Sequence, residues 1–146
     1  METLHFETEI KSSPENIWKI LWDKQSYAEW TQFFAKDSVF QTDWKIGGKT
    51  YFLNPEGDGM VSTISSLDEP FEVVFNHLGL VKNHVETIKS KEVEEWSGME
   101  EKYFLTQRDG FINLKVIVHS PNEYHDMMKT GFTRGLEMIK TLAEKL

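Results

Sequence analysis

The sequence has 146 residues, a net charge of −8 and no cysteine. This length predicts one domain, over 1–146, with a core large enough to be stable without disulfides. The lack of thiols excludes disulfide bonds, thiol nucleophiles and thiolate metal sites. The negative charge disfavours nucleic acid as a partner. No apolar run has the length of a signal peptide or a membrane span, so we expect a cytoplasmic protein.

The N-terminal region predicts one strand followed by two short helices. Apolar and polar residues alternate over 3–11, as they do in a half-buried strand. Ser13 is the predicted N-cap of a first helix, and Pro14 fits its first position. A second short helix is predicted over 23–34, with its aromatic residues on the apolar side. Two short helices directly after the first strand are a distinctive arrangement.

From 38 to 119 the apolar period changes to two, which predicts six further short strands. Short connections between successive strands favour antiparallel pairing. The stretch 81–99 is charged, and it is longer than an ordinary hairpin loop. It predicts either a functional flap or a mobile insertion, with one or two helical turns over 90–96 and Trp96 as its anchor. The predicted strands are 39–43, 49–53, 60–67, 71–78, 101–108 and 111–119.

The stretch 120–146 predicts one long helix with a wide apolar stripe. Ser120 is its predicted N-cap, Pro121 fits the first helical position, and Glu123 completes a capping box. Such a helix is too long to stand alone in a small protein, so a broad layer must lie beneath it.

Two glycines, Gly131 and Gly135, lie one turn apart within the apolar stripe. Each costs about 1 kcal/mol relative to alanine in a helix interior, so a compensating reason is expected. One explanation is close approach of the helix backbone to the sheet. The other, our working hypothesis, is that the glycines border a cavity opposite His77 and Tyr103.

The element order predicts an α+β fold in which a curved antiparallel sheet of about seven strands grips the C-terminal helix. The first strand is expected to pair with the last, and the two short helices to plug one end. The order resembles the helix-grip fold of the START-like (SRPBCC, Bet v 1-like) superfamily. Within it, the chain is similar to the activator of heat-shock-protein-90 ATPase homologue family. The stretches that carry the likeness are 13–18 with Trp30, 46–51, 59–75 and 132–136.

The titratable residues form no catalytic or metal-binding constellation in the sequence, and no metal or cofactor is expected. No two histidines have the spacing of a metal-binding helix. His77 lies on the same predicted strand face as Phe75, where it is a hydrogen-bonded structural residue, a ligand contact or a general base. The glutamates of 92–101 predict a solvated face, with a partner-binding patch as the alternative.

An apolar cavity between sheet and helix is therefore the predicted site. Each aromatic or methionine residue assigned to it could equally belong to an ordinary core. The predicted lining residues are Trp30, Phe33, Phe34, Phe40, Tyr51, Phe75, His77, Tyr103, Met128, Gly131, Phe132 and Gly135.

Three classes of function follow from this site and from the resemblance. The leading hypothesis is non-enzymatic binding of a small hydrophobic molecule, lipid-like or aromatic. The second, implied by the resemblance, is a module that interacts with a chaperone or another protein. The third is an enzyme of the hydrolase or cyclase kind, a class found in the superfamily. A monomer or weak dimer is expected.

Overall fold

The structure is a computed structural model that describes residues 2–88, 90–94 and 97–146. It confirms the predicted α+β helix-grip fold, with an eight-stranded antiparallel sheet and a long C-terminal helix. Among the described residues, no helix is both long and apolar enough to cross a membrane. The elements are β1 (Glu2–Ile10), α1 (Pro14–Trp22), α2 (Lys24–Thr31), β2 (Val39–Thr42), β3 (Lys49–Leu53), β4 (Gly59–Asp68), β5 (Glu72–Lys82), β6 (Val85–Thr87), α3 (Lys91–Glu94), β7 (Glu100–Arg108), β8 (Phe111–Ser120) and α4 (His125–Glu144).

The strands run in the spatial order β1-β8-β7-β5-β4-β3-β2, and β6 pairs with β5. The first strand pairs with the last along its whole length, as predicted, with Leu4 opposite Val118 and Ile10 opposite Ile112. The β4–β5 pair has two register irregularities, between Val61 and Ser62 and between Ile64 and Ser66. Irregularities of this kind bend a strand and increase its twist, which helps the sheet to curve around the helices.

The two short helices form where predicted, and they close the layer above the sheet. The Ser13 Oγ accepts the Asn16 amide at 3.1 Å, which caps α1 as expected. The second helix ends at Thr31, three residues earlier than the predicted boundary. Its orientation is held by a buried hydrogen bond in which the Trp30 Nε1 donates to the Leu21 carbonyl at 3.0 Å.

The start of the C-terminal helix differs from the prediction. Ser120 is the fully buried last residue of β8 and pairs with Glu2, so it caps no helix. Its hydroxyl donates to the Pro121 carbonyl, and residues 122–124 form a 3-10 turn before α4 begins at His125. Pairing with β1 extends β8 through the predicted cap, because ladder hydrogen bonds outweigh a local capping preference. At 20 residues, the helix is about 30 Å long.

The charged stretch 81–99 is partly built into the sheet. β5 continues to Lys82, and β6 folds back to pair with its end. A helical turn follows at Lys91–Glu94, within the predicted range, and Val93 and Met99 are buried at 1% and 3% exposure. Trp96, the expected anchor, lies outside the described residues. The greater mobility of this stretch stays a prediction.

Candidate ligand-binding site

A cavity of about 320 Å³ lies between the sheet, α2 and α4. Two of its lining residues, Ala35 and Met127, are exposed, which places its opening between the end of α2 and the start of α4. No described residue of 81–99 lines it. The lining residues are Tyr27, Trp30, Thr31, Phe34, Ala35, Ser38, Phe52, Leu53, Asn54, Asp58, Gly59, Met60, Glu101, Tyr103, Met127, Met128 and Phe132.

Five of the predicted lining residues lie at this cavity: Trp30, Phe34, Tyr103, Met128 and Phe132. Their positions come from three separate elements, α2 with the turn after it, β7 and α4. The Phe132 ring packs edge-on against the Phe34 ring at 4.8 Å between centroids. These residues form an apolar wall. Their role in binding a ligand stays a prediction.

Phe40 and Phe75 face the same side of the sheet as the cavity but lie in the packed core beside it. The Phe40 ring stacks on Tyr27 at 5.4 Å, and the Phe75 ring meets Phe52 edge-on at 5.1 Å. Both partners, Tyr27 and Phe52, do line the cavity. Phe40 and Phe75 therefore support the wall from behind rather than form its surface.

Tyr51 and Phe33 lie away from the cavity, contrary to the predicted lining. Side chains alternate along β3, so Tyr51 points to the opposite face from Phe52. Its hydroxyl donates to the Glu86 carboxylate at 2.9 Å. Phe33 lies beyond the end of α2 with the Arg134 guanidinium 6.0 Å from its ring centre. Sequence spacing could not place Phe33, because the last turn of the predicted helix does not form.

The two helix glycines serve close packing, so the hypothesis that they border the cavity is wrong. A Cβ atom on Gly135 would lie 2.9 Å from the Trp30 carbonyl oxygen, and one on Gly131 would overlap the Phe34 ring. Both contacts join α4 to α2 and the turn after it, not to the sheet. The glycines thus bring the two helices together and hold Trp30 and Phe34 at the cavity.

Gly135→Ala should destabilise the protein even though alanine has the higher helix propensity. The added methyl group meets a backbone carbonyl that cannot move alone, so overpacking of about 1–3 kcal/mol outweighs the gain of about 1 kcal/mol in propensity. Gly131→Ala is the matched control, since it meets only a ring that can rotate, and should cost less. Urea denaturation measures both. Equal or higher stability of Gly135→Ala would contradict the packing explanation.

His77 points into the fold and is buried, as predicted, but it does not line the cavity. Its Nδ1 is 2.6 Å from the Ser62 Oγ on the neighbouring strand. Burial, with a smaller contribution from His119, lowers its pKa to about 4. The imidazole is therefore neutral near pH 7. This geometry corresponds to the structural alternative among the three roles considered for His77.

Glu101 is the residue that sequence reasoning misplaced. The acidic sequence around it predicts a solvated face, but Glu101 lies between Phe75 and Val118 on the neighbouring strands and faces the cavity. The Tyr103 hydroxyl donates to the Glu101 Oε2 at 2.6 Å. The sequence contains a sign of this position, because residues two apart on a strand share a face and Tyr103 is one of the predicted lining residues.

Burial has the largest effect on the pKa values of Glu101, Tyr103 and Tyr27. It raises the pKa of Glu101 to about 7, although the hydrogen bond from Tyr103 acts in the opposite direction. The pKa values of Tyr103 and Tyr27 are also raised, first by burial and then by the Glu101 charge. Both phenols therefore keep their protons and can donate hydrogen bonds, while Glu101 exchanges its proton near neutral pH.

The site combines an apolar wall with a small polar group made of Glu101, Tyr103 and Tyr27. This pattern is typical of pockets for small molecules, in which a few polar atoms orient an apolar ligand. Within the part of the chain that the structure describes, no three His, Cys, Asp or Glu side chains come together in a way that could hold a metal ion.

No protein-family model and no curated protein sequence matches the chain. Solved structures do match it over nearly its whole length. The solution structure of the Aha1 dimer from Colwellia psychrerythraea has a TM-score of 0.72 at 17% identity and covers 99% of this chain and 97% of its own. Protein MLL2253 from Mesorhizobium loti has a TM-score of 0.71 at 13% identity, with 99% and 98% covered.

A third similar structure is CalU16 from Micromonospora echinospora, with a TM-score of 0.64 at 11% identity, covering 97% of this chain and 75% of its own. Identities this low establish a common fold, and a common fold hosts many functions. The resemblance seen in the sequence is confirmed at the level of the fold: this chain has the helix-grip fold, and Aha1 is among the proteins that share it.

Proposed function

We propose that the protein binds a small hydrophobic molecule in the cavity between the sheet, α2 and α4, without transforming it. The observation that carries this proposal is an open, mainly apolar cavity of about 320 Å³ beside a core in which aromatic rings such as those of Trp22 and Phe75 pack against each other. Ligand pockets commonly measure about 300–1,000 Å³. The ligand is therefore small, about the size of one or two fused rings with substituents.

The composition of the wall supports this proposal. Aromatic rings come from Trp30, Phe34, Phe52 and Phe132, and methionines from Met60, Met127 and Met128. Methionine side chains adapt to ligands of different shapes, and aromatic rings bury a large apolar area at low conformational cost. Exposed Met127 at the opening would be covered by a bound ligand.

The test is a fluorescence titration with prodan, a neutral naphthalene dye that has no hydrogen-bond donor. We expect saturable binding at one site, and at least a tenfold loss of affinity in Ala35→Trp, because the indole would occupy the opening. Thr133→Trp, on the exposed face of α4, is the matched control and should bind as the wild type does. Absence of saturable binding, or equal affinity in Ala35→Trp, would contradict the proposal.

A second candidate is a module that interacts with a chaperone or another protein, because the Aha1 structure that shares this fold is described as a dimer. Sedimentation velocity of the purified chain shows whether it is a monomer or a weak dimer. The same sedimentation measurement in the presence of a chaperone tests for a complex. If prodan fails to bind and such a complex forms, this second candidate replaces the first.

A further inference from the structure

The polar group inside the cavity is unevenly charged. The acidic side chains that line the cavity are Glu101, on β7, and Asp58, on the turn between β3 and β4. No lysine, arginine or histidine lies among the described lining residues. An anionic ligand such as a fatty acid would thus meet like charge without a counter-ion, in a setting of low dielectric constant where such repulsion is strong.

Two polar atoms of this group are available to a ligand. The Tyr103 hydroxyl donates a hydrogen bond to the Glu101 Oε2, and no described residue donates one to the Glu101 Oε1. The Tyr27 hydroxyl is likewise without a hydrogen-bond partner among the described residues, and it lies close enough to Glu101 for the charge of that carboxylate to raise the pKa of the phenol. A half-buried carboxylate oxygen beside an apolar wall gains most from a donor that carries positive charge.

Asp58 differs from Glu101 in this respect. Its Oδ1 already accepts the Asn83 backbone amide at 2.7 Å, and it lies on a turn rather than in the sheet. The turn contact therefore accounts for Asp58, whereas no described residue donates to the Oε1 of Glu101, which faces the cavity. A ligand donor could therefore reach this oxygen without breaking a hydrogen bond of the fold.

We propose that the cavity selects a hydrophobic amine, whose ammonium group donates to the free Oε1 of Glu101 while its apolar body packs against the aromatic wall. The Tyr27 hydroxyl is positioned to orient the same end of the ligand. This inference rests on the proposed function and names the chemical class of its ligand. Neutral hydrophobic molecules bind more weakly, and carboxylates most weakly.

The neighbours of Glu101 set how this selection depends on pH. Tyr103 faces it from its own strand and Tyr27 from α2, and both stay protonated. The partners of Glu101 on β5 and β8 are Phe75 and Val118, and the described cavity residues of α4 are Met127, Met128 and Phe132; none of these carries a charge.

Ionisation of Glu101 therefore controls binding of the amine. Burial raises its pKa to about 7, so affinity for an amine should increase from pH 6 to pH 8. His77, further along β5, does not titrate in that range, because its pKa is about 4.

The experiment uses three ligands with one apolar body, naphthylmethylamine, naphthylmethanol and naphthoic acid, measured by displacement of prodan from the full chain. At pH 8 we expect the amine to bind at least tenfold more tightly than the acid, with the alcohol between them. Glu101→Gln should lower amine affinity about tenfold or more, the usual effect of removing a charged hydrogen-bond partner, and should lower the affinity for the neutral naphthylmethanol by a smaller factor. Glu100→Gln, the adjacent residue on the opposite face of β7, removes the same charge and should change little.

Prodan binding to the wild-type chain separates this inference from the proposed function, because prodan needs the cavity but has no hydrogen-bond donor for Glu101. Binding of prodan with equal affinity for amine and acid would overturn the amine inference and leave the cavity proposal standing. A larger effect of Asp58→Asn than of Glu101→Gln would also overturn it. If Glu101→Gln fails to fold, the wild-type pH series decides: amine affinity that does not rise between pH 6 and 8 contradicts the inference.

Discussion

Glu101→Gln should stabilise the unliganded protein at pH 8 by up to about 3 kcal/mol and have little effect at pH 4. Burial raises the Glu101 pKa from 4.5 to about 7, so between these values the folded protein holds a proton that the unfolded chain releases. Stability is thus lost as pH rises through this range, at about 1.4 kcal/mol for each unit of pKa difference. Glutamine keeps the shape and stays neutral. Part of the side chain faces the cavity, so screening by water reduces this upper value.

The wild-type pH profile alone does not reveal this effect, because His77 acts in the opposite direction. Its pKa falls from 6.5 to about 4 on folding, so the unfolded chain holds the extra proton and stability increases with pH across that range. The two groups offset each other between pH 4.5 and 6.5. The measurement is therefore the difference in unfolding free energy between the variant and the wild type, from urea denaturation at several pH values.

Glu100→Gln is the matched control for this series. Glu100 is adjacent on β7 and pairs with Lys102 at 3.6 Å on the other face of the sheet. A surface pair of this kind contributes about 0–1 kcal/mol, so its loss should give a small and nearly pH-independent change. If Glu101→Gln were no more stable than wild type at pH 8, the carboxylate would be solvated and the cavity wet.

Ile139→Ala should lower the unfolding free energy by about 2–5 kcal/mol, the range seen for truncation of large apolar residues in well-packed cores. Ile139 has 0% exposure and belongs to the cluster that joins α4 to the sheet. It lies beyond the glycine contacts, in the half of the helix that does not line the cavity. The lost contacts therefore add to a newly created void.

Urea denaturation at one pH measures this change, with Thr141→Ala on the exposed face of the same helix as control. Exposed substitutions away from special features usually stay within about 0.5 kcal/mol. A loss below about 1 kcal/mol for Ile139→Ala would mean that this face of α4 is not tightly packed. Prodan binding should persist in Ile139→Ala, because the cavity lies at the other end of the helix.

Binding of an amine and stability of the fold depend on the same Glu101 carboxylate, with and without a ligand. Without a ligand, ionised Glu101 destabilises the fold because its charge is buried with one donor from Tyr103. An ammonium ligand would supply the missing partner and reverse that effect. A raised melting temperature of the wild type, but not of Glu101→Gln, in the presence of naphthylmethylamine would be the thermodynamic counterpart of the binding result.

Local patterns in the sequence determined the elements and their order. The alternation of β1 and β8, the Ser13 cap and the apolar stripe of α4 each depend on residues close together in the sequence. The two strands and α1 formed close to their predicted bounds, whereas α4 begins at His125. Pairing of the first strand with the last also followed from element order, since it is the pairing that closes the layer around a gripped helix. About half of the predicted lining followed as well, because strand and helix periods fix which side chains share a face.

Tertiary packing decided what those side chains meet. Gly131 and Gly135 carry no local sign of whether a cavity or a helix lies opposite, and the approach of α2 settled it. Ser120 is a good cap in isolation, but its strand partner Glu2 is 118 positions away. Glu101 resembled the charged residues before it, and only the closure of α2 and α4 over β7 turned its carboxylate into a buried group. These outcomes depend on contacts between distant parts of the chain, which periodicity and capping rules do not contain.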